Sequence, residues 1–191
     1  MFKILITSLL VSIAGLSYGQ VNLFQKVNLE NSTVTWLGKK VTGQHEGTIN
    51  LSSAEFTHSE KGYITGGTFV MDMNSILCTD MEGEYASDLV GHLSSPDFFN
   101  AAEFPTAQLT ITEIQDDGFG VYDYSGNLTI KDITHPINFV VTFADGVAKG
   151  NLSIDRTLYG IKYGSASFFD NLKDKAIDNL FNLDFNLALQ Q

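Results

Sequence analysis

The segment FNLDFNLAL, Phe181 to Leu189, puts Phe181, Leu183, Phe185, Leu187 and Leu189 on one parity and Asn182, Asp184 and Asn186 on the other. A period of two sustained over such a run marks a strand with one face against a core and the other in water. Ile137, Phe139, Val141 and Phe143 repeat the pattern. Elsewhere, short apolar-alternating runs are separated by Gly, Asn, Asp, Thr and Ser, and prolines are scarce, which reads as antiparallel β structure. Strands are expected near 27–37, 40–50, 53–58, 62–73, 106–115, 119–131, 136–144, 147–157 and 179–189. Asp116-Asp117-Gly118 and Asp145-Gly146 supply turn chemistry between neighbours.

Eight or nine one-faced strands must close or stack to hide their edges, and eight closed into a barrel leave room for side chains or for one small ligand. The expected fold is therefore an all-β antiparallel barrel of about eight strands. One segment breaks the period. Between Thr79 and Ser95, Met81, Tyr85, Leu89 and Leu93 recur at four-residue spacing with Ala86 and Val90 beside them, which predicts an amphipathic helix. Ser95-Pro96-Asp97 reads as a second helix start, with Ser95 as N-cap, and Pro105 ends it. LKDKAID, in the 170s, is a weaker helical patch. The connection HLSSPDFFNAAEFP, His92 to Pro105, carries Phe98, Phe99 and Phe104 on irregular chain, where they could close the mouth of an apolar cavity.

The opening MFKILITSLLVSIAGLSYGQ has one lysine, an apolar stretch and a small-residue end, the pattern of a secretory signal peptide cut before Gln20. The expected organisation is a leader over residues 1–19 and one domain over 20–191, exported to the periplasm or secreted. With eleven basic and twenty-two acidic residues the net charge is −11, which repels phosphate backbones and excludes nucleic acid as a partner. No second long apolar run suggests stable membrane insertion, and a homodimer is left open. Cys78 is the only cysteine, so no intrachain disulfide can form, and its preferred reading is a small buried apolar side chain.

Catalytic motifs are absent, and His45, His58, His92 and His135 have no metal-site spacing, so no catalytic residue, metal or cofactor is expected. Asp80, Glu82 and Glu84 could bind calcium, but the preferred reading has them decorating the positive end of the following helix. Arg156, the only arginine, shares parity with Leu152, Ile154 and Leu158, so its guanidinium points to the apolar side. There it either pairs structurally with a carboxylate or loop carbonyls, or anchors a polar ligand headgroup. His92 is a second headgroup candidate. The apolar lining and lid are assigned to Trp36, Phe69, Met71, Phe98, Phe99, Phe104, Leu109, Ile111, Phe139, Phe168 and Phe169. Such side chains can fill a barrel or wall a cavity for a long hydrocarbon.

STVTWLGKKVTGQHEGTINL (32–51), HLSSPDFFNAAEFPTAQL (92–109), YSGNLTIKDITHPINFVVTF (124–143), SIDRTLYGIKYG (153–164) and DKAIDNLFNLDFNLAL (174–189) resemble, in order, the YceI-like polyisoprenoid-binding family over about residues 28–189. The resemblance implies a lipocalin-like barrel, periplasmic, whose tunnel takes a long isoprenoid or other amphiphilic chain. It implies that His92, Leu93, Ser95, Pro96, Phe98 and Phe99 form part of the cover and that Arg156 occupies the family's strand arginine position. Thr157-Leu158-Tyr159-Gly160 departs from the family's usual serine and phenylalanine before glycine. The leading expectation is a non-enzymatic lipid carrier. A lipid-modifying enzyme using the same cavity, and an exported glycan-binding or adhesion β module, are the alternatives.

Overall fold

The computed structural model describes residues 26–61, 63–116 and 121–190; the expected leader and the Asp117-Gly118 turn lie outside them. Eight strands form one closed antiparallel barrel in which every strand pairs with its sequence neighbours: β1 (Lys26–Lys40), β2 (Gly43–His58), β3 (Ile64–Cys78), β4 (Thr106–Asp116), β5 (Val121–Ile130), β6 (Ile133–Ala144), β7 (Val147–Asp155) and β8 (Ile177–Gln190). β8 closes the ring against β1, from Lys40↔Ile177 at one end to Lys26↔Gln190 at the other. Closure pairs every edge.

The nine expected strands become eight because 40–50 and 53–58 belong to one strand, β2. The β2–β3 register slips between Leu51 and Ser53. Ile49 faces inward before the slip and Ala54 after it, so one added residue exchanges the faces and breaks the alternation without breaking the strand. The same device lengthens β3 beyond Met73. Ser75 Oγ donates to the Asp72 carbonyl at 2.6 Å and accepts the Asn50 amide at 2.8 Å, and inward-facing residues pass from Met73 to Ile76.

Turn chemistry follows the sequence where it is tight. Asp145 (φ 53°) and Gly146 (φ 76°) join β6 to β7, and Lys131 (φ 51°) and Asp132 (φ 59°) join β5 to β6, both as two-residue turns in the left-handed region. Alternating direction places the β1–β2, β3–β4, β5–β6 and β7–β8 connections at one end of the barrel and the remaining connections at the other. The two long insertions, 79–105 and 156–176, both lie at the first end.

One helix, α1 (Gly83–Ser94), is shorter than the expected Thr79–Ser95, and Tyr85 points to solvent instead of sharing the face of Leu89 and Leu93. Ser95 does not start a second helix. It caps the end of α1 with its hydroxyl on the His92 carbonyl at 2.7 Å, and the chain to Phe104 is a series of turns in which Asn100 turns left-handed (φ 51°). The 170s patch is a single 3-10 turn, Lys173–Lys175.

Candidate functional site

The bore divides into two unequal halves. Toward the β2–β3 and β6–β7 turns it is packed with rings. Phe56 meets Phe69 edge-on at 5.4 Å, Phe139 lies 5.6 Å from Tyr124 and 6.2 Å from Phe185, and Tyr122 meets Phe143 at 5.2 Å. Only about 80 Å³ of space remains there. Gly150 makes this packing feasible: a Cβ on it would strike both the Phe185 ring and, at 2.6 Å, the Val140 carbonyl. Burial pushes the Tyr124 phenol well above the ordinary tyrosine range, and nearby Tyr122 adds to the shift.

Toward the long insertions the bore holds a cavity of about 440 Å³. Its floor is a waist of Met71, Ala107, Leu128 and Leu183, residues that border both halves. Its walls are Ile49, Met73, Ile76, Ile130, Ile154 and Phe181, with Trp36 on the β1 side. The Trp36 indole N–H donates to the Leu77 carbonyl at 3.1 Å, and its ring lies over Gly47, where a Cβ would come within 2.6 Å of the ring. A smooth hydrocarbon wall with few polar atoms is the surface that takes up an apolar chain.

The roof is the α1 end and the segment after it. Leu89, His92, Leu93, Phe98 and Phe99 face the cavity. The Phe98 and Phe99 amides donate to the Ser95 and Leu93 carbonyls, both at 3.0 Å, and Lys131 Nζ holds the Phe98 carbonyl at 3.0 Å. Phe99 packs edge-on against Phe181 at 6.0 Å.

Arg156 supports this roof from below. Strand β7 stops at Asp155, whose carboxylate accepts the Thr157 amide (2.9 Å) and hydroxyl (2.6 Å) and so starts a 3-10 turn, Arg156–Tyr159. The parity argument therefore holds for Arg156, which is 2% exposed, and fails for Leu158, which is 50% exposed. The guanidinium donates to the carbonyls of Ile161 (2.8 Å), Asp178 (2.9 Å) and Ile177 (3.1 Å), and its carbon sits 5.4 Å from the centre of the Phe98 ring. Burial draws its pKa below the usual arginine value, against the opposing charges of Asp155 and Asp178. Arg156 ties the β7–β8 connection to the lid, and three of its five N–H donors are engaged by the protein.

His92 is different. Its ring packs edge-on between Tyr163 (4.4 Å) and Phe98 (5.6 Å) at the cavity, and its buried Nε2 has no hydrogen-bond partner. A buried unpaired ring nitrogen costs stability, and a polar ligand atom would repair that cost.

Of the residues singled out from sequence, Trp36, Met71, Phe98, Phe99, Arg156 and His92 border the main cavity. Phe69, Leu109, Ile111 and Phe139 face the filled half. Phe104 is half-buried beside the lid and borders neither, and Phe168 and Phe169 stand outside at 48% and 51% exposed. Cys78 is partly exposed at the barrel end, not a buried apolar residue, and its thiol donates to Asp80 Oδ1 at 3.1 Å. Asp80 turns away from the helix start to meet His45 Nδ1 at 3.0 Å and the Glu46 amide at 3.2 Å. Burial raises the Cys78 pKa, with Asp80 adding to it. Sequence reading did not assign Ile49, Met73, Ile76, Ile130, Ile154, Phe181 or Tyr163 to the lining. The slip before Ile76 hid its face, and nothing in the aperiodic β7–β8 connection marks Tyr163.

A family model described as a YceI-like domain matches residues 25–189. A UPF0312 protein of Vibrio vulnificus is 29% identical over 99 residues, 51% of this chain and 49% of that one, so the chain spans about half the length of the curated relatives it matches. A UPF0312 protein of Azotobacter vinelandii is 35% identical over 52 residues, 27% of each chain. Among solved structures, Burkholderia cenocepacia BcnA superposes with a TM-score of 0.68 at 20% identity, covering 87% of this chain and all (100%) of that one. A polyisoprenoid binding domain from Saccharophagus degradans, implicated in plant cell wall breakdown, gives 0.59 at 14% identity, covering 87% and 98%. Both likenesses are of fold.

Proposed function

Because the chain belongs to the YceI-like family, we propose that it is an exported, non-enzymatic carrier that holds the tail of an isoprenoid or similar amphiphile in the open half of its barrel. The observation that carries the reading is the unequal bore: a hydrocarbon-walled cavity of about 440 Å³ above a ring-packed floor. At about 30 Å³ for each water-sized group, that space takes roughly fifteen heavy atoms, or about three isoprene units. Burying them yields a gross gain of about 12 kcal/mol at about 0.8 kcal/mol per methylene, much of it offset by ordering the tail. A longer chain must leave through the mouth or displace the aromatic floor.

The polar end of such a ligand meets His92 Nε2 at the roof, while Arg156 stays with its carbonyls. Catalysis by either residue needs a titratable partner in reach. Arg156 donates to carbonyl oxygens and His92 Nε2 has no partner, which favours binding over turnover. Export rests on the leader-like residues 1–19.

The test is mass spectrometry of the organic extract of the purified protein, with short and long prenyl alcohols added in competition. Recovery of an amphiphile and preference for a short prenyl chain support the reading. An empty protein that takes up no prenyl compound overturns it.

A further inference from the structure

The cavity mouth has two lips of unlike character. In a chain with eleven basic residues, Lys39 and Lys40 at the end of β1 and Lys162, Lys173 and Lys175 on the β7–β8 connection gather on one lip, all exposed. They form one surface. The Val41 amide donates to the Ala176 carbonyl at 3.1 Å, Lys40 pairs with Ile177, and the Ile177 amide donates to the Gly164 carbonyl at 2.8 Å. Asp170 and Asp174 lie on the same connection, and Asp178 follows at the rim. The facing lip, residues 82–105, carries Glu82, Glu84, Asp88, Asp97 and Glu103 and no lysine or arginine.

The basic lip is also the greasy one. Val41, Phe168, Phe169 and Leu180 are each about half exposed or more, and Lys162 Nζ lies 4.7 Å over the Phe168 ring. Large apolar groups gathered at a rim mark an interaction surface, and lysines interleaved with aromatics suit the interface of an anionic bilayer. We infer that this lip docks the barrel peripherally on an anionic lipid surface, the acidic lip held away, so that ligand passes between bilayer and bore. The purpose of the docking rests on the carrier reading; the docking itself rests on the lip.

Charge complementarity selects the occupant despite the overall acidity. The fourteen residues of β8 run about 45 Å along the strand at about 3.3 Å each, so the carboxylates of the far end lie several Debye lengths from the contact, the Debye length being about 10 Å at 0.1 M salt. Among the described residues no helix is long and apolar enough to cross a membrane.

Flotation of the purified protein with vesicles of phosphatidylcholine, or of an equal mixture with phosphatidylglycerol, tests this, alongside uptake of a fluorescent prenyl probe from solution. Association is expected with the mixed vesicles and not the neutral ones. It should be abolished by high salt and weakened about thirtyfold for each lysine reversed in Lys162→Glu, Lys173→Glu and Lys175→Glu, a change of two charges apiece. Phe168→Ser with Phe169→Ser should weaken it further and leave the salt dependence in place. Probe uptake should be unchanged in all of these variants. Equal binding to both vesicle types, no binding to either, or lysine variants that bind as the parent does would overturn the inference. Docking without probe uptake defeats the carrier reading alone, and uptake without docking defeats the docking alone.

Discussion

The guanidinium carbon of Arg156 lies 5.4 Å from the centre of the Phe98 ring while its three kinds of nitrogen are bound to the carbonyls of Asp178, Ile161 and Ile177. One buried side chain thereby fixes both the β7–β8 connection and the lid. Arg156→Ala leaves these carbonyls unpaired and should cost about 3–5 kcal/mol in chemical denaturation. Arg156→Lys should recover little of it, because a single ammonium cannot reach three divergent acceptors. A loss below about 1 kcal/mol in both variants would show that the carbonyls are satisfied another way.

His92 is expected to exchange stability for binding. His92→Phe removes a buried nitrogen with no partner and keeps the ring contacts to Tyr163 and Phe98, so the denaturation midpoint should rise by the equivalent of about 1 kcal/mol. Affinity for a prenyl alcohol should fall, whereas affinity for the matching hydrocarbon should not. Parallel losses for both ligands would remove His92 from the headgroup contact.

The waist should set tail length. Ala107→Leu extends from the floor into empty space, so it should raise stability by about 1 kcal/mol and shorten the longest prenyl chain retained. Phe139→Ala opens the ring-packed half, so it should cost about 3–5 kcal/mol and lengthen the accepted chain. Competition among prenyl alcohols of graded length reads both effects.

The Asp80 carboxyl gives the fold an acid-sensitive contact. Burial alone would raise its pKa, but hydrogen bonds from the Cys78 thiol, the His45 ring and the Glu46 amide outweigh it and hold the group below its usual value of 3.8. A depressed folded-state pKa stabilises above the unfolded value, and that contribution is lost as pH falls through the folded one. The urea midpoint of the parent should therefore drop more steeply below about pH 4 than that of Asp80→Asn, which starts lower at neutral pH. Identical profiles would show that the contact contributes nothing.

Much of this architecture is legible in the residues, and the exceptions have physical reasons. Strand placement and direction follow from apolar alternation, which runs unbroken through Phe181–Leu189. It misleads at Leu51–Ser53 and after Met73, because a one-residue bulge exchanges the faces while the hydrogen-bonded ladder continues. The lid phenylalanines Phe98 and Phe99 were recognisable as too apolar for an exposed connection. Phe168 and Phe169 followed the same logic and face outward, since an aperiodic loop carries no parity to tell inside from outside. Whether the bore is hollow depends on how rings from β2, β5, β6 and β8 stack across it, and no single strand records that.

The pairing of Lys26 with Gln190 brings the start of β1 and the end of β8 together at the plugged base, opposite the cavity. A tether or bead attached beside Lys26 or Gln190 would hold the molecule by its foot and leave the opening facing outward, unobstructed.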